Sequence, residues 1–153
     1  MKKLSPYSLT QSFGFALRGI YYALTRERNL RIHFTAGAFA LFFSRYYDLS
    51  GVELGLLILC IGFVLVCEMV NTAIEKTVDL ETSGFHKLAK IAKDVAAGAV
   101  LVSAITSVVV GFLLFWDIPT LLIIRQDIIA HPILSLLAAG VGVSWITLPQ
   151  KVK

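Results

Sequence analysis

The residues best equipped for chemistry lie close together in one string, Cys67-Glu68-Met69-Val70-Asn71-Thr72-Ala73-Ile74-Glu75, which continues through Lys76, Thr77, Val78 and Asp79. On a helix advancing about 100° per residue, Glu68, Asn71, Glu75 and Asp79 fall within a stripe roughly 80° wide. Glu68 directly follows the nearly unbroken apolar run 55–67, whereas Asp79 is already in polar sequence. One helix face therefore carries three carboxylates and a carboxamide. Three readings fit such a stripe: interhelical hydrogen bonding, an ion or proton pathway, and a catalytic site. Asn or Ser would hold helices together without the cost of a buried Glu. A pathway would recruit ionisable residues through the full membrane depth, which this chain does not offer. The catalytic reading fits best. Carboxylate oxygens suit Mg²⁺, which binds through one or two carboxylates plus phosphate oxygens, and a desolvated glutamate can serve as general base near neutral pH.

Basic residues can join the stripe. Lys93 and Asp94 reach the depth of Glu75 if they open the next span, and Glu27 sits among Arg26, Arg28 and Arg31. A lone Glu among arginines is commonly a salt-bridge partner; at the depth of Glu75 it is also a second metal carboxylate. A lysine facing carboxylates and a metal is what phosphoryl transfer uses, because catalysis there is mostly positioning and charge neutralisation. No G-x-x-x-x-G-K-[ST], G-x-G-x-x-G or H-E-x-x-H string occurs, so a nucleotide would be handled without a P-loop or a kinase glycine-rich loop.

The elements that must position these residues are membrane helices. Of the 153 residues 57% are hydrophobic and 16% charged, against about 25% charged in soluble domains. That balance excludes a soluble globule and a disordered chain. Apolar stretches at about 30–47, 52–73 and 95–116 are each long enough for ~30 Å of hydrocarbon. A weaker one lies at 128–148, with His131 and Pro132 near its start. Residues 8–28 read as an amphipathic surface helix with Phe13, Leu17, Ile20 and Leu24 on one face; packing against other helices of the chain explains that face equally well. A second amphipathic stretch, Phe85 to Asp94, should run into the third span. Lys2 and Lys3 are not followed by the apolar core of a cleavable signal, so none is expected.

The net charge of +4 does not point to nucleic acid, because it is sorted by compartment. If all four stretches cross, every Lys and Arg except Arg45 and Arg125 falls on one side, including Lys2, Lys3, Lys151 and Lys153. The positive-inside rule puts that side in the cytoplasm. Tyr46, Tyr47 and Trp116 then mark outer ends, and Trp145 an inner one. Cys60 and Cys67 lie two turns apart in one apolar run and read as buried small side chains, neither a disulfide nor a zinc site.

The string Glu68-Met69-Val70-Asn71-Thr72-Ala73-Ile74-Glu75, with Asp79 and then Ala92-Lys93-Asp94, resembles the prokaryotic diacylglycerol kinase family, and the likeness extends from about Phe13 to Trp116. The resemblance implies an all-α integral membrane protein with an N-terminal surface helix and three transmembrane helices, forming a homotrimer with sites between protomers. It implies transfer of the ATP γ-phosphate to a lipid hydroxyl at the cytoplasmic face of a bacterial plasma membrane. Glu68 then resembles the catalytic base, Glu27 and Glu75 the carboxylates that hold Mg²⁺ on the nucleotide, and His86, Lys93 and Asp94 positions that contact ATP. Asn71 and Asp79 line the site, with Arg31 and His33 as further lining candidates. The stretch Glu27-Arg28-Asn29-Leu30-Arg31-Ile32-His33 looks like the Gram-positive branch, whose members act mainly on undecaprenol; the enteric diacylglycerol kinases carry glutamate in place of His33. Undecaprenol is the favoured lipid and diacylglycerol the second, with His33 open between a site role and none.

Residues 117–153 fall outside the resemblance. They form a fourth C-terminal span at 128–148, or a re-entrant or surface segment broken at Pro132. An assembly scaffold that kept this fold and lost activity is the alternative of another class. It is disfavoured because every chemically essential residue type stands in its expected place.

Overall fold

The computed structural model describes residues 8–81, 84 and 86–149. Lys2, Lys3, Phe85, Lys151 and Lys153, which entered the charge and periodicity readings above, lie outside them. The described chain is helical: α1 (Leu9–Arg26), α2 (Arg28–Phe43), a short 3-10 turn (Ser44–Tyr46), α3 (Gly51–Glu81), α4 (Lys87–Phe115), α5 (Ile118–Ala130) and α6 (Pro132–Thr147). An all-α integral membrane protein is the result, as expected. Two helices, α3 and α4, are long and apolar enough to cross a bilayer unaided.

Ser8 and Gln11 start α1 reciprocally. The Gln11 N–H donates to Ser8 Oγ and the Ser8 N–H to Gln11 Oε1, which satisfies two otherwise orphaned groups. Leu9, Phe13, Leu17 and Tyr21, one turn apart on a single face, remain exposed, and Ala23 near the far end is the only buried residue of α1. Most of the apolar face is thus left uncovered by the chain itself, the condition of a helix that lies in a membrane interface. Glu27, in extended conformation, is the one non-helical residue between α1 and α2.

α2 is shorter than the 30–47 span read from hydropathy. Its helix stops at Phe43 because side chains take over its terminal carbonyls: Ser44 Oγ donates to Leu41 O at 2.9 Å and Arg45 Nε to Phe42 O at 3.0 Å. The 3-10 turn then places Tyr46 and Tyr47 at the end of α2 far from Glu27. Tyr47 Oη donates to Phe115 O at 3.0 Å and its ring meets the Phe115 ring edge-on, joining the outer ends of α2 and α4.

α3 and α4 form the principal antiparallel pair. At about 1.5 Å per residue, the 31 residues of α3 extend ~46 Å, well past a ~30 Å hydrocarbon layer. Glu68 lies ~26 Å from Gly51, Glu75 ~36 Å and Asp79 ~42 Å. The polar stripe therefore occupies the end of α3 beyond its apolar run, with Glu68 at the apolar edge. α4 begins at Lys87 and runs without interruption into the third span, as the amphipathic stretch suggested.

α2 packs on α3 through a glycine. A Cβ on Gly37 would stand 2.6 Å from Cγ2 of Ile61, a branched side chain that cannot swing away cheaply. The absent side chain lets the two backbones close up one turn outward of His33.

The last apolar stretch is not one helix. His131, with φ −123° and ψ 57°, ends α5 and precedes Pro132 at the first position of α6, and the two axes bend by 98°. Proline lacks the N–H that would continue α5 and disfavours a helical residue before it, yet it suits the start of a new helix. The expected 128–148 stretch is accordingly broken at Pro132, the second of the two forms expected for it, with Ile128 to Ala130 belonging to α5; α5 and α6 are long and apolar enough for a span only as a bent pair. α6 runs back along the face of α2 away from α3, antiparallel to it. Tyr46 Oη donates to the Asp127 carboxylate at the outer end, and that bond, with burial and the Asp127 charge, holds the Tyr46 phenol above its ordinary range. α2 is thus flanked by α3 and α6.

Replacing Gly37 by Val should force α2 off α3 and destabilise the fold by about 1–3 kcal/mol, the usual cost of overpacking. Thermal unfolding in detergent checks this, with Gly98→Val, on α4 in open space, as the control that should lose much less.

Candidate active site

Glu68 is 3% exposed, and its Oε1 lies 3.2 Å from Nε2 of His33 on α2. A carboxylate at the edge of hydrocarbon needs such a partner, since no water there replaces one. His33 reaches it because α2 and α3 approach closely at Gly37.

One turn inward, Asn71 is 8% exposed and its Nδ2 donates to Glu75 Oε1 at 3.0 Å. This i,i+4 bond orients the Glu75 carboxylate. Asn71 Oδ1 is buried without a hydrogen-bond partner, an acceptor left unsatisfied within the protein. Glu27, at the elbow before α2, has Lys76 Nζ 3.6 Å from its Oε1. Its side chain does not cap α2. Glu27 and Glu75 both stand within electrostatic range of Glu68. Two carboxylates from α3 and one from the elbow thus lie near one histidine from α2.

Farther inward, Lys93 Nζ donates to the Asp79 carboxylate and bridges α4 to α3. Asp94 is drawn elsewhere, pairing with Lys90 one turn earlier on an exposed face of α4. His86 is exposed at the N-cap of α4, its side chain making no capping bond. Glu27, His33, Glu68, Asn71 and Glu75 therefore come together and Asp79 and Lys93 form a neighbouring pair, whereas Asp94 pairs with Lys90 and His86 stands at the N-cap of α4 without a shown contact to either group.

Arg31 is the exception. It is 2% exposed and turns to the opposite side of α2, where Nη1 donates to Trp145 O at 3.0 Å and Nη2 to Leu148 O at 3.1 Å. These carbonyls end α6 and have no intrahelical partner, and a cation at a helix C-terminus is favoured by the dipole. Arg31 caps the C-terminal helix instead of lining the site. Lys76, which the sequence showed only as part of the cytoplasmic charge, is the residue that reading overlooked. Its spacing from Glu75 gave no sign that it would meet Glu27.

Residues 14–115 match the model of the prokaryotic diacylglycerol kinases. The chain belongs to that family. Membership places it among membrane lipid kinases. It is 45% identical to the undecaprenol kinase of Bacillus subtilis over 105 residues, 69% of this chain and 85% of that one. It is 42% identical to the diacylglycerol kinase of Synechocystis over 105 residues, 68% of this chain but 60% of that protein, so less than two thirds of the Synechocystis chain is covered. The Escherichia coli diacylglycerol kinase is 30% identical over 109 residues, 71% of this chain and 89% of its own. The matched region contains every residue of the cluster and ends at the close of α4; α5 and α6 lie beyond it.

The Asp79–Lys93 pair is more than a third exposed at both ends, and such pairs contribute about 0–1 kcal/mol. Lys93→Ala and Asp79→Asn should accordingly leave the unfolding temperature in detergent within a few degrees of the parent. Circular dichroism melts of both variants check this, and a collapse of the fold in either would show the pair to be structural.

Proposed function

We propose that this protein transfers the γ-phosphate of ATP to the hydroxyl of undecaprenol at the cytoplasmic face of the bacterial plasma membrane, with Glu68 as general base. The buried Glu68, partnered by His33 at the depth where a lipid hydroxyl meets water, carries the reading. The lipid hydroxyl gives its proton to Glu68 while its oxygen attacks the γ-phosphorus. A new O–P bond forms, the bond from phosphorus to the β,γ-bridging oxygen breaks, and ADP leaves. His33 holds the carboxylate in place for this step.

The donors present fit Mg²⁺: carboxylates at Glu27 and Glu75 and the partnerless Oδ1 of Asn71 are hard oxygen ligands. Among the described residues no three acidic, His or Cys side chains close into a metal site, so phosphate and water would complete the shell. Bound with the nucleotide, Mg²⁺ would neutralise phosphate charge. Glu27 and Glu75 orient the metal nucleotide, Lys93 with Asp79 faces its phosphates, and His86 and Asp94 approach it from the start of α4.

Undecaprenol is favoured by the Glu27–His33 stretch and by the likeness to the Bacillus subtilis enzyme. Diacylglycerol is the second reading, favoured by the name of the Synechocystis relative. The family resemblance supports assembly as a homotrimer, and the cationic side of the chain supports the cytoplasmic placement.

Transfer from labelled ATP with Mg²⁺ to undecaprenol and to diacylglycerol, offered separately in micelles, tests the proposal. Undecaprenol should be preferred, and Glu68→Gln should lose at least about 10²-fold in turnover with its melt unchanged. Transfer to neither lipid by a folded preparation would overturn the kinase reading, and preference for diacylglycerol would overturn the choice of lipid. His33→Ala should lower kcat while leaving the KM for ATP close to that of the parent; steady-state kinetics separates the two.

A further inference from the structure

Arg31 is the most deeply buried charged side chain among the described residues. No described carboxylate pairs with it. Nη1 and Nη2 go to Trp145 O at 3.0 Å and Leu148 O at 3.1 Å, and Nε has no partner. A buried cation held by carbonyls alone depends on them, because its desolvation is otherwise uncompensated. Both carbonyls stand at the C-terminal end of α6, beyond the family match that ends at residue 115. The extension therefore supplies the partners of a residue inside the family region. α6 lies close along the same face of α2: a Cβ on Gly142 would stand 3.3 Å from Phe39 and 3.4 Å from Thr35, and Thr35 Oγ1 donates to Arg31 O at 2.8 Å.

Arg31 and His33 lie two residues apart, about 200° around α2 and ~3 Å along it. His33 Nε2 is 3.2 Å from Glu68 Oε1 on α3, so polar contacts grip α2 from opposite sides within one turn. Such contacts are directional, whereas the apolar contact of Gly37 with Ile61 does not set a rotation. Rolling α2 about its axis would carry His33 off Glu68 and Arg31 off its carbonyls together. We propose that Arg31 is a positioning residue for phosphoryl transfer: by holding the end of α6, it fixes the roll of α2 at which His33 meets Glu68. The C-terminal extension thus acts on the base from the far side of α2, a role that rests on the kinase reading above.

Steady-state kinetics and a histidine resonance test this on the full chain in micelles. Arg31→Gln should lower kcat by about 10–10²-fold, the scale of a displacement of about 1 Å, with the KM for ATP unchanged. Arg31→Lys, which keeps a cation for the carbonyls, should recover part of the loss. Gly142→Val pushes α6 off α2 from the other helix and should lower kcat likewise, which serves if Arg31→Gln folds poorly. In a His33→Ala background neither change should lower kcat further. With ring-labelled histidine, the NMR signal of His33, assigned by its loss in His33→Ala, should shift in Arg31→Gln and in Gly142→Val. That signal needs no turnover. A folded parent that phosphorylates neither lipid overturns the kinase reading, while the signal still decides whether Arg31 sets His33. An unmoved His33 signal in both folded variants overturns the positioning role. A loss of kcat that multiplies with that of His33→Ala overturns it too, because Arg31 then acts independently of His33.

Discussion

The contact between His33 and Glu68 is the constraint on which the site depends. A carboxylate at the end of a long apolar helix cannot remain there unless the protein answers it, because the surrounding hydrocarbon will not. The answer comes from another helix, so α2 must lie close to α3, and Gly37 is what permits that approach. The elbow at Glu27 follows from the same placement: with His33 facing α3, the start of α2 sits beside Lys76, and the carboxylate that ends α1 joins Glu75. The cluster is thus a consequence of one interhelical distance.

The axial order of groups follows from helix geometry. Glu68, Asn71, Glu75 and Asp79 recur every three or four residues, so each step inward along α3 exchanges a more buried group for a more exposed one. Glu68 is buried, Glu75 is half-buried and Asp79 is exposed. In the proposed reaction the base is kept at the edge of hydrocarbon, where the lipid is, while the groups for a charged nucleotide stand where water reaches.

Much of this was legible in the sequence, and the reason is the bilayer. An ionisable residue in an apolar run is conspicuous, and helical periodicity alone places Glu68, Asn71, Glu75 and Asp79 on one face. The family string at Glu68–Glu75 added the roles. Contacts between helices were harder to read. Periodicity says nothing about which helix lies against which, so neither the Glu27–Lys76 pair nor the close approach at Gly37 was foreseen. Arg31 misled for the same cause: two residues from His33, it seemed to belong to the site, but it faces the other side of α2 and serves the end of α6. Pro132 signalled a break, whereas the 98° bend and the return of α6 along α2 depend on tertiary packing. The end of α2 at Phe43 was obscured because the apolar aromatic sequence continues through Tyr47.

The overhang of α3 makes this helix a depth gauge. Its apolar portion must match the thickness of the hydrocarbon, and tilt or local distortion absorbs any difference at a cost of fractions of a kcal/mol per Å. Glu68 is fixed on that rigid rod, whereas a lipid hydroxyl floats at the level of its own monolayer. Their relative height is consequently a property of the membrane as much as of the protein. Chain length, sterol-like additives and lateral tension, which change thickness without touching a single residue, become inputs to whatever happens at Glu68.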